Sequence, residues 1–596
     1  MRKKICFLGL LMCVGFFALV ACDGTDLNTK VEKKVSKKET GLWSIETKND
    51  GQAIQGGTLK VGLVTDSPFQ GVFSSELYED RYDAEILQYA SNSIFELKED
   101  FLIGNEGLAK LDVDVPAKKA TITIRKDVKW SDGHPFTIDD VIYPYYIIAD
   151  KDYTGIRYDT DFQNIVGVVE YHKEKAKKIT GIKKIDAYTM EISFKKISPS
   201  IYSIGNGLWG YAAPKHQLKN IKIKNLGKSN TVRQKPVTLG AFVIDKVVKG
   251  KSVQLVANKN YYKGRPKLDK VVIEAVPSAS AAVAIKNGKY DMISGYKPND
   301  YQAIKNFDNI DILGRDELAY TYLGFKLGKY DTKKGINRTN PKAKMGNINL
   351  RKAIVYAMNV EQVTKTYYDH LRTRANALLP PSFKTFYDGS LNGYQYDPEK
   401  AKQLLDEAGY KDINHDGYRE DPKGKAFKIR FATMAGSDDE EKIDEFYIQN
   451  WKAVGLKVEY TTGHPIEFNN FYNKVQADDK NMDMFIAAWK IGSNPSPVGL
   501  YAKNAAFNFS RFASSDLTKL LKDIDSVAAM DQSYRSNAFA KWQEYMSEQA
   551  TTVPIYFHTE IIPVNKRVKK FNIDHIHGTE LQDIELIADE PIQSSQ

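Results

Sequence analysis

The chain has three cysteines, Cys6, Cys13 and Cys22, and none in the rest of its 596 residues. A protein with no thiol beyond residue 22 can form no internal disulfide in its folded part and no thiolate-bound metal centre there. Long apolar runs are equally scarce. Ile5 to Val20 is apolar for 16 residues, short of the roughly 20 needed to cross a bilayer, and no later stretch approaches that length. Catalytic templates are missing as well: there is no His-Glu-x-x-His and no Gly-x-Ser-x-Gly. Two Gly-Lys-Ser tripeptides, at 227–229 and 250–252, have Lys222 and Asp245 where a phosphate loop requires its first glycine, so both read as turns. Lysines are scattered, without a zinc finger, an RNA-binding signature or a basic helix, which makes nucleic acid an unexpected partner. No cofactor is expected.

What the N-terminus does contain is an export signal. Arg2, Lys3 and Lys4 precede the apolar run, the order of a secretory signal peptide. Leu19-Val20-Ala21-Cys22 resembles the lipobox of bacterial lipoproteins, in which the cysteine is acylated and becomes the first residue. An ordinary signal peptide with an incidental cysteine is the alternative. Residues 1–21 are thus expected to be removed, which lowers the net charge from +10 to +7. Cys22 is expected to carry palmitate-type chains that anchor the protein on the extracytoplasmic face of the cell membrane. Residues 22–56, with the charged run "VEKKVSKKET", read as the lipidated end of a solvated tether.

The remaining length exceeds one hydrophobic core and implies two or three domains. Strand patterns at 56–64, 120–130, 188–196 and 251–262 alternate with helical patterns at 349–370, 397–409 and 533–550, a mixed α/β composition. "TTVPIYFHTEIIPVNKRV" near the end reads as two strands. Two stretches raise metal binding. His575-Ile576-His577 would place both imidazoles on one face of a strand, with no third ligand identifiable. "DINHDGYRED" (412–421) has the first half of a calcium loop, but Lys423 stands where a bidentate glutamate is required; an Asx-rich hairpin turn explains the same residues. No metal site is assigned.

"IRKDVKWSDGHPFTIDDV" (124–141) resembles the signature of the family-5 solute-binding proteins of ABC importers, with Asp127 where that family usually has glycine. Matches continue in the family's order: 236–276, "AAVAIKNGKYDM" (281–292), "NLRKAIVYAMNVEQV" (349–363) and "YDPEKAKQLLDEAGY" (396–410), so the resemblance covers about 56 to 590. It implies a class II periplasmic-binding-protein-like clamp: a core lobe from 57–96, 199–313 and 553–596, an inserted α/β subdomain at 97–198, and a second lobe at 314–552. The hinge is expected near 321–329 and Thr551–Pro554. The implied activity is binding rather than catalysis. An oligopeptide would be held between the lobes and passed to the membrane subunits of an ABC permease, with the receptor acting as a monomer. A non-peptide solute or a signalling peptide on the same fold is the alternative.

The resemblance also implies a site. A strand running into Trp489 would pair with the ligand main chain, and the loop Lys490, Ile491, Gly492, Ser493, Asn494 would bound it. Tyr82, Asp83 and Tyr322 are expected beside it. Relatives commonly hold the ligand amine with an aspartate three residues after the tryptophan; here that position is Gly492, and no acid occurs between Asp483 and Asp516. Two options follow. Another acid, among Glu76, Glu79, Asp80 and Asp83, supplies the contact, or the ligand's N-terminus is not fixed. A solvated acidic helix face would explain those four acids equally well.

Overall fold

In a computed structural model the described residues are 43–205, 207–436 and 438–595. The expected signal peptide, Cys22 and the first part of the tether lie outside them. The tether itself ends earlier than the composition implied. Trp43 packs against Gly314 and edge-on to Tyr301 at 5.0 Å, Ser44 and Glu46 bridge to Leu313 and Asn572, and Thr47 donates its N–H to Phe571 O at 2.8 Å. The apolar side chains Trp43 and Ile54, set among polar neighbours, are what dock this segment.

One 11-stranded sheet runs through the molecule. Its order is 457–460, 428–432, 484–490, 310–325, 552–565, 292–294, 58–64, 270–276, 252–257 and 242–248, with 372–374 added against 552–565. The two central strands are 16 and 14 residues long, against five or six for an ordinary strand, because each serves both halves of the sheet. At one end Val564 pairs with Met292; at the other, Ala319–Phe325 pairs with Met484–Lys490. Where two terminal strands were expected there is one, 552–565, and Pro554 sits at a register shift where its missing N–H costs no ladder bond. Thr321–Gly324 is paired on both edges, with a register shift between Thr321 and Tyr322 opposite Pro554. A larger break lies between Asp316/Thr559 and Tyr320/Phe557, where three residues of one strand face one residue of the other.

A second, four-stranded antiparallel sheet, 109–114, 119–124, 189–193 and 182–184, lies inside the segment expected for the insertion. Its hydrophobic core runs further, from Ile94 to Leu239, because Ile201, Leu208, Leu218 and Val232 close its open face. The 124–141 signature is the scaffold of this unit. Trp130 donates its indole N–H to Asp140 at 3.2 Å, and Asp140 also accepts from Thr137 N at 3.0 Å. Asp127 has φ +63, a left-handed conformation that glycine adopts without strain, which accounts for the family's preference there. Helix 398–407 starts at the Asp397 cap and ends before Gly409, φ +83, as its sequence signals require. The helix expected over 349–370 is two, 348–356 and 360–367, because the Asn359 side chain caps a new start at Gln362 N. Asp291, from the 281–292 motif, meets Arg567 through two parallel bonds of 2.5 and 2.7 Å with both side chains fully buried. That pair locks the last long strand to the first lobe.

Candidate functional site

Strand 484–490 is paired along its whole length on one edge, to 319–325. On the other edge only Met484 and Phe485 are paired, opposite Phe431 and Ala432. Among the described residues no strand covers Ile486 to Lys490 on that side, so this edge offers main-chain groups for an added strand, although Ala488 O already accepts from the Tyr472 hydroxyl at 3.4 Å. The strand ends at the lobe junction: Ile491 N donates to Leu318 O at 2.8 Å, within the broken part of the central ladder.

Trp489 is half-buried and set between two rings, Tyr322 at 6.4 Å and 11° and Phe509 at 5.3 Å and 25°. Phe507 meets it edge-on at 5.7 Å and is itself 51% exposed. Tyr322 is 2% exposed. It therefore stacks on the indole and has almost no exposed surface of its own. Lys490 also has a partner within the fold. Its ammonium lies 2.8 Å from Glu317, which is also 3.6 Å from His558 Nδ1, while His558 Nε2 meets Thr321 Oγ1 at 2.8 Å. The contact with His558, then that with Lys490, holds the Glu317 carboxyl down at about 2.

The loop that follows is open and uncharged. A Cβ built on exposed Gly492 meets nothing within 4 Å. Asn494 Oδ1 accepts from Ser496 N at 3.1 Å, closing an Asx turn, and Pro495 and Pro497 are buried behind it. Ser496 donates to Asp525 at 2.6 Å. Asp525 is the acid that a search along the sequence could not find, since it lies 33 residues beyond Gly492 on another helix end. Burial raises its pKa, and Arg535 stands 3.6 Å away. A cavity of about 480 Å³ is lined by Asp525 on one side and by Thr160, Asp161 and Phe194–Ser198 of the four-stranded unit on the other, so this end of the loop faces the insertion across a gap.

The acids at 76–83 are used otherwise than expected. Both oxygens of Asp83, fully buried, accept backbone N–H groups, Gly71 at 2.7 Å and Val72 at 2.9 Å. Tyr82, 9% exposed, accepts Asp66 N at 3.0 Å through its hydroxyl. Asp80 caps helix 81–87. Glu76 is buried and accepts from Ser74 and from the Trp209 indole N–H, and burial raises its pKa. Glu76, Asp80 and Asp83 thus hold the chain together, and of the four only Glu79 is exposed to solvent. Tyr82 likewise has a scaffold contact of its own.

The two stretches considered for metal also resolve. His575–His577 forms a turn, not a strand; His575 meets Asp316 O at 2.9 Å and His577 meets Glu99 at 3.0 Å, so the rings diverge. In 412–421 the side-chain oxygens turn to backbone: Asp412 accepts from Asp416 N and Gly417 N, Asp416 from Tyr418 N, and Glu420 from Ile413 N. That is a hairpin of Asx turns. A different cluster, Asp132, His134 and His216, went unnoticed in the sequence because its members are 84 residues apart at the extremes. The only available signal was that two of just nine histidines fall in or beside the 124–141 motif and its packing partner.

Residues 105–510 match the bacterial extracellular solute-binding proteins, family 5, middle region. The chain belongs to this family. It is 35% identical over 583 residues to the oligopeptide-binding protein OppA of Lactococcus lactis subsp. cremoris (strain SK11), covering 96% of each chain. It is 25% identical to the oligopeptide-binding protein AppA of Bacillus subtilis, covering 93% of each. Lactococcal OppA complexed with an endogenous peptide, in the closed conformation, superposes with a TM-score of 0.71 at 35% identity, over 89% of this chain and all of that one. The fold is therefore the two-lobed class II clamp of mixed α/β structure, and the protein is a solute-binding protein, not an enzyme.

Proposed function

We propose that the protein is the receptor of an ABC importer and captures oligopeptides between its lobes. The peptide main chain adds to the free edge Ile486–Lys490. The half-buried face of Trp489 and the exposed Phe507 form a wall that tolerates many side chains, and closure strengthens each polar contact by excluding bulk water. The observation that carries this reading is that free edge, in a chain so similar along its length to OppA. The ligand's N-terminus is not fixed by an acid. Gly492 leaves its position empty, Asp83 and Asp80 are spent on backbone N–H groups, and Asp525 is engaged by Ser496 and faced by Arg535. The receptor acts as a monomer tethered through acylated Cys22 and hands its cargo to permease subunits in the membrane.

In this reading the first lobe comprises 57–96, 199–313 and 553–596, the insertion 97–198 borrows core residues up to Leu239, and the second lobe spans 314–552. Bending occurs at the broken ladder around Asp316–Tyr320. A second reading, a non-peptide solute or a signalling peptide in the same cleft, is favoured by the loss of the acid at Gly492. Native mass spectrometry of the purified protein, followed by calorimetry with defined oligopeptides, tests both. Retained peptides of several lengths support the first reading, and a single non-peptide mass with no calorimetric response to peptides overturns it.

A further inference from the structure

We infer that Asp132, His134 and His216 form a binding site for a borderline transition-metal dication, of which Zn²⁺ is the representative. Asp132 Oδ2 lies 3.0 Å from His134 Nδ1 and 2.8 Å from His216 Nε2, and all three donor atoms fall within 4.8 Å of one another. The two imidazoles stack at 4.1 Å and 18°, so both rings present a nitrogen to the same oxygen. A tetrahedral zinc with ligands at about 2.0–2.1 Å separates its donors by about 3.3–3.4 Å. The two carboxylate–imidazole separations therefore need to open by only about half an ångström or less, and the two imidazole nitrogens already lie within 4.8 Å of each other, so side-chain rotation brings the three donors to one ion. Two imidazoles and one carboxylate select zinc, nickel or copper over calcium and magnesium, and the outward face, where His134 is exposed, leaves the fourth position to water.

The scaffold is built to hold these donors still. Trp130 N donates to His134 O and Gly133 N to Trp130 O, both at 2.8 Å, with Gly133 at φ +90, so Asp132 and His134 project from one tight hairpin. Asn260 donates to the carbonyls of Trp130 and Ser131. The Asp140 carboxylate joins the two sides: one oxygen accepts the Trp130 indole N–H and the other accepts Lys215 N, the residue before His216. The His216 ring also rests edge-on against Trp130 at 6.4 Å. The nearest helix cation does not compete, because the Lys215 ammonium turns to Asp139. A bound ion would staple the 128–136 hairpin to helix 215–218, outside the peptide cleft and without dependence on what the cleft holds.

Calorimetric titration of the purified mature chain, carrying no histidine tag and stripped with chelator, tests the site with ZnCl₂ and, separately, MgCl₂. We expect one zinc per chain, a rise in melting temperature with zinc, and no response to magnesium. His134→Ala and His216→Ala are each expected to weaken zinc binding at least tenfold and to abolish the thermal shift. His134→Gln, at the exposed hairpin tip, repeats the loss without risk to folding, while His577→Ala leaves binding intact. Absence of saturable zinc binding, unchanged affinity in the His134 and His216 variants, or equal binding of magnesium overturns the assignment.

Discussion

Gly492→Asp puts a carboxylate where the cleft is now neutral, and its consequences can be worked out before it is made. The added Cβ meets no atom within 4 Å, and Gly492 is not among the residues with positive φ. An aspartate is therefore accommodated without strain, and the lost freedom of glycine in the unfolded chain favours the folded state by about 0.4–1 kcal/mol. The melting temperature should thus hold or rise slightly. Recognition should change more. A hydrogen bond between a carboxylate and a ligand ammonium contributes about 1.5–3 kcal/mol, or roughly 10- to 150-fold in affinity. The assay is calorimetry with matched pairs of one peptide, free and N-acetylated. The unmodified protein should bind both within about threefold, since no acid fixes the amine, whereas the variant should prefer the free peptide by about tenfold or more, less so at high salt. The reasoning is refuted if the unmodified protein already discriminates by about tenfold, or if the folded variant does not discriminate at all.

Four further outcomes are expected. Ser493→Leu combined with Asn494→Leu should lower the melt modestly, because the Asn494 bond to Ser496 N is lost, and weaken oligopeptide binding strongly; equal affinity would remove this loop from the site. Phe507→Ala, at a side chain 51% exposed, should cost little stability while lowering peptide affinity by about fivefold, the loss of roughly 1 kcal/mol of aromatic contact. Asp291→Ala leaves the Arg567 guanidinium buried and unpaired, a loss of about 3–5 kcal/mol that chemical denaturation would register. Asp444, buried beside Thr433, has its pKa raised to about 8 by desolvation. The folded state then holds a proton that the unfolded chain releases near pH 4, so stability falls as pH rises from about 4 to 8, by on the order of 5 kcal/mol in all. Asp444→Asn should remove that slope and stabilise the protein more at pH 8 than at pH 5; parallel melting curves would contradict this.

What could be read in advance and what could not divide along a physical line. Local signals were legible because their causes are local: the Asp397 cap with Pro398 and Gly409 delimits a helix wherever it occurs, and the strain at Asp127 is visible as a departure from glycine. The free edge of 484–490 was half legible. An apolar strand ending in tryptophan and a proline-rich loop implied a cleft wall, but which edge stays unpaired depends on where 428–432 stops. Side-chain destinations were not legible. Asp83, Lys490 and Tyr322 are residue types that bind ligands, yet each is committed to a partner fixed by tertiary contact: the 71–72 backbone, Glu317 and Trp489. Asp525 and the Asp132–His134–His216 cluster failed to register for the converse reason, since their neighbours arrive from 29 and 84 residues away. Composition reveals which groups a chain can spare for function only after the fold has claimed its own. At the loop after Trp489 the fold has engaged the Lys490 and Asp525 side chains, and what it leaves at Gly492 is space. If that open position bounds the ligand, as proposed, selection rests on main chain and aromatic contact, and the paired free and acetylated peptides measure that property directly.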